Sequence, residues 1–231
     1  MRSILVVPAA PSSVESALAS EADAIAIDLA GENKGARRAA VDILELAREA
    51  GKTALVIIRP LASGFADADL DAVMPGRPHA IVLPDAIGGR DVQHLGAKLA
   101  VREAENDLAD GSTAVLALVA DSAVAIFELG SLARATRRLI GVGRDERRLA
   151  QNLGLSISGE DKPEPLRIAR GLAVLAAAAA GAPAFDSAEP GDGDIFARAC
   201  DRAARDGFSG KFALTPNQAR IVNAAFAARK P

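Results

Sequence analysis

Short apolar runs alternate with longer segments of helical periodicity along the whole chain. The runs are continuous in apolar character, which is typical of strands buried on both faces. They span residues 3–8, 24–28, 54–60, 80–84, 113–121, 138–143, 182–186 and 209–215. Each is followed by a stretch long enough for a helix. In residues 35–51, for example, the apolar positions have helical spacing and the segment closes on Gly51.

Eight strands, each followed by a helix-length segment, predict an α/β fold of the (β/α)₈ type, a TIM barrel. A doubly wound sheet uses a similar alternation, but eight strands fill a barrel with none left over. No linker or low-complexity stretch divides the 231 residues. We therefore expect a single domain over residues 1–231, an ordinary length for such a barrel.

Composition narrows the classes of partner. Trp and Tyr are absent, the net charge is −3, and basic residues are interleaved with acidic ones, so no nucleic-acid surface is expected. The most apolar segment, residues 171–183, is too short to span a bilayer, and the first residues lack a signal peptide's apolar core. Cys200 is the only cysteine, so no disulfide can form within the chain. These features predict a cytoplasmic protein without a membrane partner.

In a barrel of this kind, catalytic groups lie at the carboxyl ends of the strands and in the loops that follow. Most polar residues there have a simpler interpretation as helix caps, and capping or turn formation is the commoner role for Asp85, Asp121 and Asp186 taken singly. Asp28 is harder to explain in this way, because an apolar residue rather than a helix start follows it. Arg59 lies among apolar residues, where an unpaired charge is costly, so we expect an anion beside it.

Several kinds of chemistry have little support in the sequence. His79 precedes the fourth predicted strand and His94 lies in a predicted helix, so a histidine triad or a zinc site is not expected. No glycine-rich loop follows the first strand, which argues against a Rossmann or P-loop site. The remaining carboxylates and arginines suit a hard cation such as Mg²⁺ that holds an oxoacid or an enolate.

Five stretches carry a resemblance to a known family. They are RSILVVPA (2–9), ALASEADAIAIDLA (17–30), HAIVLPDA (79–86), RIARGLAVLAAAAAGAPAFDS (167–187) and GFSGKFALTPNQARIVNAAF (207–226), and they follow the family's order. Through them the chain resembles the citrate lyase beta-subunit-like proteins, as a divergent member. These proteins share the phosphoenolpyruvate/pyruvate barrel superfamily with the 4-hydroxy-2-oxoacid aldolases. The resemblance runs nearly end to end, and the last stretch is its strongest part.

The resemblance implies a carbon–carbon lyase or aldolase. Its substrate would be a small oxoacid or an acyl-CoA-type compound, and Mg²⁺, with Mn²⁺ as a substitute, would stabilise an enolate. The family pattern assigns metal binding to Asp121 and Glu146, and it assigns substrate binding to Arg59 and Asp145. Arg59 and Asp28 are its catalytic candidates, with Asp28 behind the metal ligands. The family's trimers and hexamers imply a homo-oligomer.

The sequence departs from the family's pattern around these positions. Strict alignment places Ala120 where the family has a metal-binding glutamate, and Ala30 and Gly31 replace a Glu-Asp pair. Arg147 and Arg148 add positive charge that would compete with a metal ion. Two alternatives therefore stay open: a barrel that has lost catalysis and serves in binding or assembly, and a thioester hydrolase on the same scaffold. The substrate's identity and the binding of coenzyme A are open as well.

Overall fold

Eight parallel strands follow one another around a closed barrel in chain order, and the last strand pairs with the first. The computed structural model describes residues 1–29, 35–157 and 162–227. The strands are β1 (Ser3–Pro8), β2 (Ala24–Asp28), β3 (Thr53–Ile57), β4 (Ala80–Ala86), β5 (Ala114–Val119), β6 (Leu139–Gly143), β7 (Ala184–Asp186) and β8 (Gly210–Ala213). The predicted TIM barrel and its eight strands are confirmed.

Helices cover the outside of the barrel and connect its strands. They are α1 (Val14–Leu18), α2 (Ala36–Glu49), α3 (Ala66–Val73), α4 (Gly89–Glu105), α5 (Ala123–Glu128), α6 (Glu146–Leu153), α7 (Glu164–Ala180), α8 (Gly193–Asp206) and α9 (Pro216–Ala225). Both α6 and α7 follow β6. The segment after β5 is long enough for one helix, but α5 passes into a short 3₁₀ turn (Leu129–Leu132) that contains Gly130. A glycine disfavours continued α-helix there.

Strand side chains alternate between the barrel interior and the layer under the helices, because neighbours in a strand point to opposite faces. The interior holds Ile4, Ala24, Ala26, Leu55, Ala80, Val82, Leu116, Leu118, Phe185 and Phe212. The intervening strand positions pack with the helices in a larger apolar cluster. Both faces of each strand are therefore buried, which explains the continuous apolar runs of the sequence.

Two glycines in β6 make room for the aromatic rings that fill the barrel. A Cβ at Gly141 would lie 2.7 Å from the ring of Phe185, and one at Gly143 would lie 2.7 Å from Leu118 and 3.1 Å from Phe212. The two rings meet edge to face, with centroids 6.4 Å apart. This close approach requires glycine at both positions of β6.

Two further expectations concern Cys200 and the membrane. Cys200 is buried in α8, and burial raises the pKa of its thiol to about 12. A buried thiol that stays protonated packs as a small hydrophobic side chain. Among the described residues, no helix combines the length and the apolar character that crossing a bilayer requires.

Candidate functional site

A cavity of about 140 Å³ opens at the carboxyl-terminal mouth of the barrel. Its apolar lining consists of Val6, Ile57, Pro84, Leu118, Ala188, Phe212 and Leu214. The charged residues that line it are Asp28, Arg144, Asp145, Arg147 and Arg148. Three arginines against two aspartates give this mouth cavity a positive balance, which favours an anionic ligand.

Asp121 follows β5 and lines a neighbouring cleft of about 670 Å³. It is only 4% exposed. The backbone N–H of Asp145 donates to its Oδ1 at 2.9 Å, and that of Asp85 donates to its Oδ2 at 3.4 Å. Burial raises the pKa of Asp121 to about 7; the charges of Asp145 and Asp85 act in the same direction, against the two N–H donors. A carboxyl group with this pKa can release or accept a proton near neutral pH.

Arg148 lies between the mouth cavity and this cleft, since it lines both. Its guanidinium forms an ion pair with the carboxylate of Asp85. Burial alone would lower the pKa of Arg148, but the negative charges of Asp85, Asp121 and Asp145 outweigh burial and raise it. These four residues (Asp85, Asp121, Asp145 and Arg148) form one electrostatic unit, which we call the Asp121 cluster.

Two residues beside Asp121 have a strained backbone. Asp85 and Ala120 adopt left-handed conformations, with φ of 52° and 60°. Neither is a glycine, so each conformation costs about 1–2 kcal/mol. Asp85 lies where the register between β4 and β5 shifts, and Ala120 turns the chain directly before Asp121. Because such strain concentrates at functional sites, this side of the mouth is the stronger candidate for chemistry.

A second charged cluster lies between the barrel wall and helices α7 and α8, around Asp186 at the end of β7. Asp186 is also 4% exposed. Arg144 donates to its Oδ1 at 2.7 Å and Arg170 to its Oδ2 at 3.1 Å, while Lys211 Nζ lies 3.5 Å from Oδ2. Burial alone would raise the pKa of Asp186, but the charges of Lys211, Arg144 and Arg170 hold it well below its usual range. Asp186, Arg144, Arg170 and Lys211 are the Asp186 cluster.

Glu146 belongs to this second side of the mouth. Arg144 donates to its Oε1 at 2.9 Å, and Lys162 Nζ lies 3.1 Å from its Oε2. Burial would raise the pKa of Glu146, but the charges of Arg144 and Lys162 lower it. Glu146 lines the cleft around Asp186, whereas Asp121 lines the cleft beside Asp85. The two predicted metal ligands therefore line different clefts, and a metal ion held by both stays a prediction.

Arg59 follows β3, and the anion that the sequence requires beside it is Asp69 of α3. Asp69 is fully buried; it accepts hydrogen bonds from Arg59 Nε and from Arg37 Nε, both at 2.9 Å. Burial alone would raise the pKa of Asp69, but Arg59 and Arg37 lower it. The ring of Phe65 covers the guanidinium of Arg59 at 4.3 Å. These contacts tie α3 to the end of β3, and they engage Arg59 with the protein rather than with a ligand.

The structure does bring Asp28 and Asp145 together at the mouth cavity. Asp28 ends β2 and lines the cavity wall. Asp145 is the N-cap of α6, because its Oδ1 accepts the backbone N–H groups of Arg147 at 3.0 Å and Arg148 at 3.3 Å. This cap fixes the first turn of α6, which carries both arginines to the rim of the cavity.

A comparison of the sequence with known families identifies the family to which this barrel belongs. Residues 2–216 match the HpcH/HpaI aldolase/citrate lyase family. The chain belongs to this family. Among curated relatives of this family member, citrate lyase subunit beta of Escherichia coli K12 is 28% identical over 234 residues, which cover 98% of this chain and 76% of that protein. The family and this relative are lyases, which supports a lyase activity.

Solved structures of citrate lyases share the fold of this family member. The citrate lyase beta subunit of Mycobacterium tuberculosis, in complex with oxaloacetate and magnesium, has a TM-score of 0.77 at 26% identity, covering 97% of this chain and 96% of that one. A citrate lyase of Burkholderia xenovorans LB400 has a TM-score of 0.87 at 18% identity, covering 99% and 78%. The second likeness establishes the barrel alone, because its sequence identity is low.

Magnesium fits the carboxylates of this family member poorly. Mg²⁺ takes near-octahedral oxygen ligands, usually one or two free carboxylates with several waters. Both oxygens of Asp121 accept backbone N–H groups, and both oxygens of Glu146 face protein cations. Within residues 1–29, 35–157 and 162–227, no group of three or more Asp, Glu, His or Cys side chains is arranged to hold a metal ion. Magnesium binding through Asp121 and Glu146 stays a prediction that these contacts do not support.

Two groups of residues at the strand ends differ from the sequence-based expectation: the aspartates after the strands, and Arg144. Capping, one of the two roles expected of Asp85, Asp121 and Asp186, is wrong: the N-caps of α4, α5 and α8 are Gly88, Ser122 and Asp192. Arg144 was missed, although it follows the inward-facing Gly143, so strand alternation points its side chain outwards to the helices. A buried arginine there requires a carboxylate partner. The Ala30–Gly31 replacement lies outside the described residues.

Proposed function

We propose that this chain is a carbon–carbon lyase or aldolase that acts at its mouth cavity on a small oxoacid or an acyl-CoA-type compound bearing a carboxylate. The observation that carries the proposal is the combination of three arginines and two aspartates over an apolar floor. Two comparisons also support the proposal: the chain belongs to the aldolase/citrate lyase family, and the structure of a relative contains oxaloacetate. The homo-oligomer and the cytoplasmic location stay predictions.

The residues of the mouth cavity suit the chemistry of such a cleavage. A base removes the proton of the substrate's hydroxyl group, the carbon–carbon bond breaks, and its electrons pass into the neighbouring carbonyl group to give an enolate. Asp28 and Asp145 supply carboxylates at the cavity, and Arg147 and Arg148 supply positive charge for the enolate oxygen and the carboxylate. Such charge acts strongly where apolar walls exclude water, because the local dielectric constant is low.

The test is a cleavage assay on 4-hydroxy-2-oxoacids and on hydroxyacyl-CoA thioesters, each with Mg²⁺, with Mn²⁺ and with EDTA. We expect one class to yield a shorter oxoacid or an acyl-CoA. The Ala188→Phe variant fills the mouth cavity and should lose this activity, whereas Ala109→Phe, at an exposed position remote from the mouth, should keep it. The proposal fails if the folded protein cleaves neither class under any of the three conditions.

A second candidate is a barrel that binds such acids without cleaving them. It is favoured by Glu146 and Arg148, whose charges are already paired within the protein. The same assay, together with a binding measurement, separates the two candidates: binding without bond cleavage identifies the second. Thioester hydrolysis, the other alternative from the sequence, would release free coenzyme A and leave the carbon chain of the acid intact.

A further inference from the structure

Two consecutive arginines in the first turn of α6 line the mouth cavity. Arg147 is exposed, and within the described parts of the chain no hydrogen bond or ion pair engages its side chain. Arg148 has a single ion-pair partner there, the exposed carboxylate of Asp85. Both guanidinium groups therefore have donor capacity left for a ligand.

The other arginines near the strand ends are already engaged. Arg144 is 4% exposed and binds Asp186 and Glu146. Arg59 binds the buried Asp69, which also accepts a hydrogen bond from Arg37. Their positive charges are already compensated by protein carboxylates, and displacing one of those buried carboxylates would leave an uncompensated buried charge. The arginine expected from the family pattern, Arg59, is thus poorly placed to bind substrate.

The position of Arg148 also disfavours the binding of a metal ion. It lies beside Asp85, Asp121 and Asp145, and Asp121 is one of the two metal ligands that the family pattern predicts. A guanidinium group among them already balances part of their negative charge. It also repels a divalent cation that would approach the same oxygens.

We propose that Arg147 and Arg148 form a metal-independent site for the substrate's anionic oxygens. Arg147 binds the carboxylate, and Arg148 supplies the positive charge beside the carbonyl oxygen that becomes the enolate oxygen. A planar guanidinium offers two parallel N–H donors, which match the two oxygens of a carboxylate. The ligand class is a short 2-oxoacid. This assignment of ligand rests on the proposed function, but the binding site itself can be tested without turnover.

The test measures binding of pyruvate by calorimetry in buffer that contains EDTA. The wild-type protein should bind pyruvate equally well with EDTA and with excess Mg²⁺, and it should not bind pyruvamide, which lacks the carboxylate. Arg147→Gln and Arg148→Gln should each weaken binding by at least roughly 10-fold, because each removes a charged hydrogen-bond donor. Arg148→Lys, which keeps the charge, should weaken it less.

The matched control is Arg137→Gln. Arg137 is an exposed arginine just before β6, at the opposite end of the barrel, and its loss should leave pyruvate binding unchanged. Thermal melting of every variant verifies that it is folded. A second measurement follows the spectrum of free Mn²⁺ by electron paramagnetic resonance, and we expect no loss of signal when protein is added at millimolar metal.

Three results would overturn the inference: pyruvate binding that requires Mg²⁺ or Mn²⁺, binding unchanged in both glutamine variants, or no binding of pyruvate to the folded wild-type protein. The inference and the proposed function fail separately. Cleavage that needs Mg²⁺ would refute the arginine site while leaving the lyase proposal intact. Metal-independent pyruvate binding without cleavage of any substrate would support the arginine site and refute the lyase proposal.

Discussion

Asp121 and Asp186 are two aspartates at the same end of the barrel, and they are equally buried at 4% exposure. Their pKa values nevertheless move in opposite directions, to about 7 for Asp121 and well below the usual range for Asp186. The difference lies in their neighbours. Asp186 contacts three cationic side chains, whereas Asp121 accepts two backbone N–H groups and faces two further aspartates.

This comparison separates a structural network from a candidate site. In the Asp186 cluster the carboxylate is held ionised, and its partners tie β6, β7, β8 and α7 together. In the Asp121 cluster the pKa of Asp121 lies near neutral pH, and the residue lies beside a strained backbone and an open cleft. A carboxyl group that can exchange a proton near neutral pH is a candidate for function, whereas a fully paired buried carboxylate matters to stability because removing it leaves its cationic partners uncompensated.

The largest expected effect is the loss of the Asp186 carboxylate. Asp186→Asn removes the anion shared by the buried Arg144 and Lys211 and the half-buried Arg170. We expect the free energy of unfolding at pH 7 to fall by about 3–5 kcal/mol. Urea unfolding measures it. Asp206→Asn, which removes an exposed partner of Arg170, is the control and should cost under about 1 kcal/mol. Equal losses in the two variants would contradict the structural role of the Asp186 cluster.

Removing the charge of Asp121, by contrast, should stabilise the protein. The pKa of Asp121 rises from an ordinary value of 3.8 to about 7 on folding, so the folded state holds more protons than the unfolded state between those pH values. The free energy of unfolding therefore falls as pH rises through this window. Asp121→Asn removes that loss, and above pH 7 we expect a gain of at most about 4 kcal/mol, since each pKa unit corresponds to about 1.4 kcal/mol.

Urea unfolding of the wild type and Asp121→Asn at several pH values measures this difference. It should be near zero below about pH 4, grow up to about pH 7 and then level off. The exposed Asp107→Asn is the control and should show no such growth. A difference that stays constant across this pH range would show that folding does not raise the pKa of Asp121.

The fold could be predicted from the sequence because it depends on local patterns. Runs such as ILVV and AIAI are apolar without interruption, since both faces of each strand are buried. Strand number and the helices between the strands then fix a closed barrel. The shortness of α5 was not predicted, because the apolar residues after β5 continue past the point where Gly130 lies in a 3₁₀ turn.

The site was predicted only as a set of strand ends. Asp28, Asp121 and Asp145 do lie at the carboxyl-terminal mouth, as their positions after strands required. The ion pairs that these charged side chains form could not be predicted, because they depend on the direction of each side chain and on partners distant in sequence. The ion pairs of Glu146 with Arg144 and Lys162, in a different cleft from Asp121, are an example.

The smallest expected change in stability is for Arg148→Met, which removes the one cation of the Asp121 cluster. Arg148 is 36% exposed in its side chain, and partly exposed ion pairs contribute under about 1 kcal/mol. The pKa of Asp121 should nevertheless rise further, because a nearby positive charge favours the ionised carboxylate. Carbon NMR titration of the Asp121 carboxyl group measures the shift, with Arg167→Met, which breaks an exposed ion pair with Glu164, as the control. A loss of stability as large as that of Asp186→Asn would mean that both clusters are structural networks.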